Sequence, residues 1–182
     1  LHLCDKNIQQ IKTENITTHN LLVDVCQAAK FEGQSITEDY PKYRATYNDS
    51  PSKMCTMLAR SFADIGDIIR GKDLFRGYNQ KDRKEKEQLQ NSLKIIFREI
   101  YNKLGDTEVK EHYNGDGDNY FQLREDWWAL NRKEVWKAIT CNAQGSQYFR
   151  PTCSTKPLSE DKCHCANADV PTNFDYVPQY LR

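Results

Sequence analysis

The chain has 182 residues, enough for one domain or two tightly joined helical subdomains. Lys+Arg 26 balance Asp+Glu 26, so no net field draws the protein to nucleic acid or an anionic membrane, and charge-driven binding must come from a local patch. A mean hydropathy of −0.85 excludes a membrane-spanning composition, while 11% aromatic residues and regular apolar spacing exclude a disordered one.

Leu1-His2-Leu3-Cys4 carries neither an initiator methionine nor a signal-peptide pattern, and it reads as the start of a piece of something longer. The first helix is expected from about Thr18 to Phe31, with Leu21, Leu22, Val25, Cys26, Ala28 and Ala29 as its buried stripe and Gly33 ending it. A short Tyr40–Tyr47 segment follows. Ser50-Pro51 opens a second helix, because Ser caps and Pro fits a first turn that needs no amide donor. Its apolar face is Met54, Leu58, Phe62, Ile65, Ile68 and Ile69, with Ser61 between turns, and Gly71 closes it. The third helix spans about Lys81 to Leu104, with Leu89, Leu93, Ile96, Phe97, Ile100 and Leu104 on one face and Gly105 at its C-terminal stop. After a Gly/Asp loop at 113–119, a fourth covers about Phe121 to Thr140 and turns Leu123, Trp127, Leu130, Val135, Trp136 and Ile139 inward. Asn131 with Glu134 could form a capping box, so a break in the middle is allowed. Beyond Cys141 runs a loop-like stretch rich in Thr, Ser, Asn and Pro. Loops of that length in compact domains are functional or stapled. No repeat or strand period stands out, and the architecture is all-α.

Cysteines stand at 4, 26, 55, 141, 153, 163 and 165. Spread along the chain rather than paired as C-x-x-C, they point to an oxidising compartment and a disulfide framework. Cys163 and Cys165, one residue apart, staple to different partners. An odd count leaves Cys4 to pair with a cysteine upstream of Leu1. The same residues, with His164, make a poor zinc site, because Cys163-His164-Cys165 is too tight to clamp one ion. The segment Asn114 to Glu125 nearly matches a calcium loop, with Asp116 and Asp118 at alternate positions and Glu125 at the twelfth. Asn at the first ligand position and Asn119 where the turn glycine belongs weaken that match, and an ordinary polar turn is the favoured reading. No metal and no cofactor are expected. The four histidines sit in unrelated contexts, and no nucleophile elbow or phosphate loop appears, so the chain is not read as an enzyme.

The densest basic run is Arg70, Lys72, Arg76, Lys81, Arg83, Lys84 and Lys86, which could grip a sulfated glycan. Asp73, Asp82, Glu85 and Glu87 lie among these cations and could neutralise them. Asn15-Ile16-Thr17 and Asn48-Asp49-Ser50 are formal glycosylation sequons, the second made a poor acceptor by Pro51.

Several segments together resemble one known family. They are Leu3-Cys4-Asp5-Lys6-Asn7, Ala28-Ala29-Lys30-Phe31-Glu32-Gly33, Cys55 to Leu74, Leu123-Arg124-Glu125-Asp126-Trp127-Trp128, Asn131-Arg132, Val135 to Cys141, and Asp175 to Arg182. In this order and over essentially the whole chain they resemble the alpha-class Duffy-binding-like domain of the Plasmodium falciparum erythrocyte membrane protein 1 family, the variant surface antigens.

The resemblance implies a disulfide-stapled helical fold in three subdomains. Residues 1–15 would end the first, and 16–182 would be mainly the second, stopping before the long helices of the third. It also implies adhesion at the extracellular face of the infected erythrocyte, held to the membrane only by a distant transmembrane segment outside this chain. Expected partners are host erythrocyte or endothelial receptors, heparan sulfate-like glycans or blood-group sugars in rosetting, and antibodies, with no nucleic acid. The alternative is a non-binding spacer and immune-variable decoy. By the same resemblance Cys4 bonds upstream and Cys55 bonds into the region after the Trp-Trp helix, where Cys141 and Cys153 both stand. Cys26 with Cys141 would leave Cys55 for Cys153.

Overall fold

The computed structural model describes residues 17–47, 52–143, 163–165 and 169–182. Cys4, Cys153, both Asn acceptors of the sequons and the Ser50-Pro51 helix start lie outside the described residues. Among the described residues five α-helices follow in order: α1 (Thr18–Tyr47), α2 (Ser52–Arg70), α3 (Gln80–Lys103), α4 (Thr107–His112) and α5 (Phe121–Ile139). Two 3-10 turns, Phe174–Tyr176 and Gln179–Leu181, close the chain, and the described residues form no β-sheet. Helix α5 is the hub. It packs against α1, α2 and α3, while α2 also packs against the turn at Phe174–Tyr176.

The apolar periods explain this packing. Leu58, Phe62, Ile65 and Ile69 on α2, and Leu89, Leu93, Ile96, Phe97 and Ile100 on α3, are all buried. Phe62 meets Trp128 and Trp136 of α5 with centroids 5.1 and 5.2 Å apart, an aromatic arrangement that adds to the area it buries. Asn79 caps α3, its side chain accepting from the Asp82 amide at 2.9 Å. Asp106 does the same for the short α4, through the Glu108 amide, and that helix has no apolar stripe to announce it in the sequence.

Three local expectations are corrected. Helix α1 does not stop at Gly33 but continues through it, and through Pro41, to Tyr47. A Cβ at residue 33 would lie 1.9 Å from the Ile139 carbonyl oxygen, so this glycine is where α1 touches α5 and not a terminator. The buried stripe Leu21, Val25, Ala28, Ala29, Glu32 runs on past it to Tyr40, a continuation that outweighs the hydrogen bond lost at Pro41. Helix α5 has no break, because the Asn131 side chain donates to the Trp127 carbonyl at 2.7 Å within the turn. Leu130, expected inside, is 82% exposed, and Trp128 is fully buried. The inward place near residue 131 is taken by Arg132, whose charge has a buried partner in Asp175.

The cysteine pairing also differs from expectation. Cys55 bonds to Cys163, with their Cα atoms 5.7 Å apart. Cys165 is disulfide-bonded as well. Cys26 and Cys141 are free thiols, which corrects the proposed Cys26–Cys141 and Cys55–Cys153 bridges. The geometry explains why. Cys26 lies where Glu134 of α5 acts on it, whereas Gly33, two turns further along α1, already faces Ile139. Cys141 lies beyond Ile139, so roughly 10 Å of helix rise separates thiols that would need Cα atoms within about 7 Å.

Candidate adhesion surface

The basic run splits into cations held by the fold, of which Arg70 is buried, and cations left exposed. Arg70, at the end of α2, is 2% exposed. Its Nε donates to the Gly66 carbonyl at 3.0 Å, and Nη2 donates to Asp67 at 3.1 Å and to the Asp175 carbonyl. Its guanidinium also lies 5.4 Å from the Tyr176 ring centroid, a cation–π contact. Arg70 therefore cannot grip a glycan, and that assignment is corrected: a buried Arg at a helix end satisfies carbonyls and carboxylates inside the fold. Lys72 is ion-paired with Glu125. Lys86 is held by Asp73 and donates to the Phe75 carbonyl at 3.0 Å, with its ammonium 4.5 Å from the Phe75 centroid. Arg76, Arg83 and Lys84 are exposed. The Lys81 side chain is 84% exposed and has only a loose contact with Glu85 at 3.9 Å, a separation at which water screens most of the attraction.

These cations sit on and beside a braced loop, residues 71–79. Gly77 holds φ +94, and a Cβ there would lie 2.9 Å from the Arg83 amide nitrogen, so the loop needs a glycine to fold back on α3. The Leu74 amide donates to Gln179 Oε1 at 2.7 Å, and Gln179 Nε2 donates to Asp73 at 3.0 Å. The loop is thereby tied to the C-terminal segment. Between them opens a cleft of about 330 Å³ lined by Asp67, Arg70, Lys72, Leu74, Tyr176 and Gln179, among others.

Beneath the surface lies an ionic network that sequence reasoning missed. Asp175 accepts from Arg132 through both carboxylate oxygens, at 2.7 and 2.8 Å, and from Trp128 Nε1 at 2.9 Å. Arg182 reaches back to Asp64 at 3.1 Å and to Asp67. Burial raises the carboxyls of Asp64 and Asp67 above their ordinary range, and Arg182 pulls the other way. Arg124 donates to the Ile69 carbonyl and to Gln90 at 2.9 Å, closing the end of α2. Burial lowers its guanidinium to about 10, still charged at neutral pH. A readable signal existed: Arg124 and Arg132 occupy positions of a Trp-rich helix where an apolar residue is expected, and such arginines require buried partners.

The calcium-like loop has other work. Asp116 accepts from the Gln122 and Leu123 amides at 2.7 and 3.0 Å, capping α5. Glu125 turns to Arg70 and Lys72, away from any ligand ring with Asp116. His164 meets Thr140 Oγ1 at 2.8 Å, and the Cys163 carbonyl accepts from Trp136 Nε1 at 3.2 Å. That segment is anchored on α5.

The family model of the Duffy binding domain matches residues 1–182. The chain belongs to the Duffy binding domain family. No curated protein matches it. Among solved structures it is similar to the ICAM-1-binding PfEMP1 IT4var13 DBLbeta domain, at 32% identity and a TM-score of 0.68, covering 100% of this chain and 39% of that one. It is also similar to the PfEMP1 IT4var13 DBLbeta domain bound to ICAM-1, at 30% identity and a TM-score of 0.67, covering 99% of this chain and 40% of that one. The chain thus spans about two fifths of the length of those relatives. In this Duffy binding chain the loop at 71–79 is held by Gln179 of the C-terminal segment and by Asp82 and Lys86 of α3.

Proposed function

We propose that this chain is part of an adhesion domain, of the alpha class, displayed outside the infected erythrocyte, and that it binds a host-cell surface receptor. Residues 1–15 then belong to the end of a first subdomain and 16–182 mainly to a second. The contact residues are Arg76, Lys81, Arg83 and Lys84. Arg70, Lys72 and Lys86 drop out because carboxylates or carbonyls of the fold hold them. The observation that carries this reading is the division of the basic run into cations held by the fold and exposed ones with, among the described residues, no carboxylate closer than the loose Lys81–Glu85 contact. Free cations of that kind match sulfate or carboxylate groups on a partner. Support also comes from a relative that binds ICAM-1, a host receptor.

Binding of the oxidised chain to uninfected erythrocytes, with soluble heparin as competitor, tests the proposal. Reversing Lys81, Arg83 and Lys84 to Glu should weaken binding at least tenfold. A folded chain that binds nothing would favour the spacer and decoy role.

A further inference from the structure

The exposed cations do not stand alone. Leu74 is 63% exposed, Phe75 39% and Tyr78 76%, all three on the loop that carries Arg76 and leads into Lys81. Apolar side chains on a solvated loop ordinarily cost little when single, but these three are grouped and braced. Phe75 and Tyr78 stack edge to face with centroids 4.7 Å apart, Lys86 sits over Phe75, and Leu74 is fixed through its amide to Gln179. The Tyr78 amide is tied to Asp82 at 3.3 Å. The result is a braced ridge whose apolar centre is rimmed by exposed Arg76 on the loop and by Lys81 at the start of α3, while Asp73 and Asp82 are engaged by Lys86 and the Tyr78 amide. Protein interfaces have this anatomy: aromatic and apolar anchors inside, charge at the rim, and side chains already held in place before contact. A bare sulfated glycan would engage the rim but leave Leu74 in water.

Building on the adhesion reading above, we infer that the ridge of Leu74, Phe75 and Tyr78 is the centre of a docking face for a protein partner. That partner presents carboxylates around an apolar patch, complementary to the basic rim.

The experiment measures binding of the oxidised chain to uninfected erythrocytes that are untreated, trypsin-treated or heparinase-treated. Alongside the parent run Leu74→Ser with Tyr78→Ser, and Leu74→Lys as a second variant that keeps the backbone bond to Gln179. Each variant is checked for an unchanged thermal midpoint. Expected are loss of binding after trypsin, unchanged binding after heparinase, and at least a tenfold weakening in the ridge variants. Loss after heparinase, survival after trypsin, or ridge variants that bind like the parent would overturn the protein-docking inference while leaving the adhesion reading standing. A parent chain that fails to bind untreated cells would remove both.

Discussion

The Asp175 carboxylate grips the Arg132 guanidinium with both oxygens, at 2.7 and 2.8 Å, and pins the C-terminal segment to α5. Asp175 is 43 residues further along the chain than Arg132, so this pair closes the fold at long range. Removing one member of a buried pair leaves the other charge without compensation. Asp175→Ala should therefore destabilise the chain by about 3–5 kcal/mol, measured by denaturant unfolding of the oxidised protein. A loss below about 1 kcal/mol would mean that the pair behaves as a surface ion pair.

The Cys55–Cys163 bridge spans 108 residues of sequence. By loop-closure entropy such a link contributes about 4–5 kcal/mol, and Cys55→Ser with Cys163→Ser should lower stability by an amount of that order. In the native state a thiol reagent should modify exposed Cys141 first. Cys26, half-buried and pushed up to about 11 by burial and by Glu134, should react at least about tenfold more slowly because little thiolate is present. Equal rates for the two would contradict the packing of α1 against α5.

Gly33→Ala offers a test by sign. In a helix interior that change ordinarily stabilises by about 1 kcal/mol. Here the new methyl would meet the Ile139 carbonyl, and the helices must separate, so a loss of at least about 2 kcal/mol is expected from overpacking. A neutral or stabilising result would move the α1–α5 contact elsewhere.

How much of this was legible depends on distance along the chain. Leu58, Phe62 and Ile65, or Leu93, Phe97 and Ile100, lie within one or two turns of each other, and their spacing alone placed α2 and α3. Gly33 was misread because a stop and a close helix contact need the same residue. Arg70 was misread because its deciding partner, Asp175, is 105 residues away, so the sequence shows only one more cation in a run of cations. The cysteine pairing fails for a similar reason, since Cys55 meets Cys163 only after α2 has packed on α5. What α5 could have revealed was Arg132 in place of an apolar residue.

The pH response follows from the raised carboxyls. Glu32, buried and accepting from Ser61 Oγ at 2.9 Å, is raised by burial more than that hydrogen bond lowers it, and Asp64 and Asp67 are also raised. A carboxyl whose pKa is higher folded than unfolded binds its proton more tightly in the native state. Its contribution is then largest below the unfolded value and is lost as pH rises through the folded one. Stability should rise as pH falls from neutrality towards the range just above 4.5, the ordinary Glu value. The rise should shrink in Glu32→Gln, which keeps the Ser61 contact but does not titrate. A slope identical in both proteins would contradict the burial of Glu32.

The most direct test of the central claim, that buried cations hold the fold and exposed ones bind the receptor, pairs two measurements on two variants. Thermal midpoint and equilibrium binding to erythrocytes are recorded for Arg70→Gln and for Lys81→Glu with Arg83→Glu and Lys84→Glu. The expected result is a lowered midpoint for the first, and an unchanged midpoint with at least tenfold weaker binding for the second. A triple variant that binds as tightly as the parent, or an Arg70→Gln chain as stable as the parent, would contradict it.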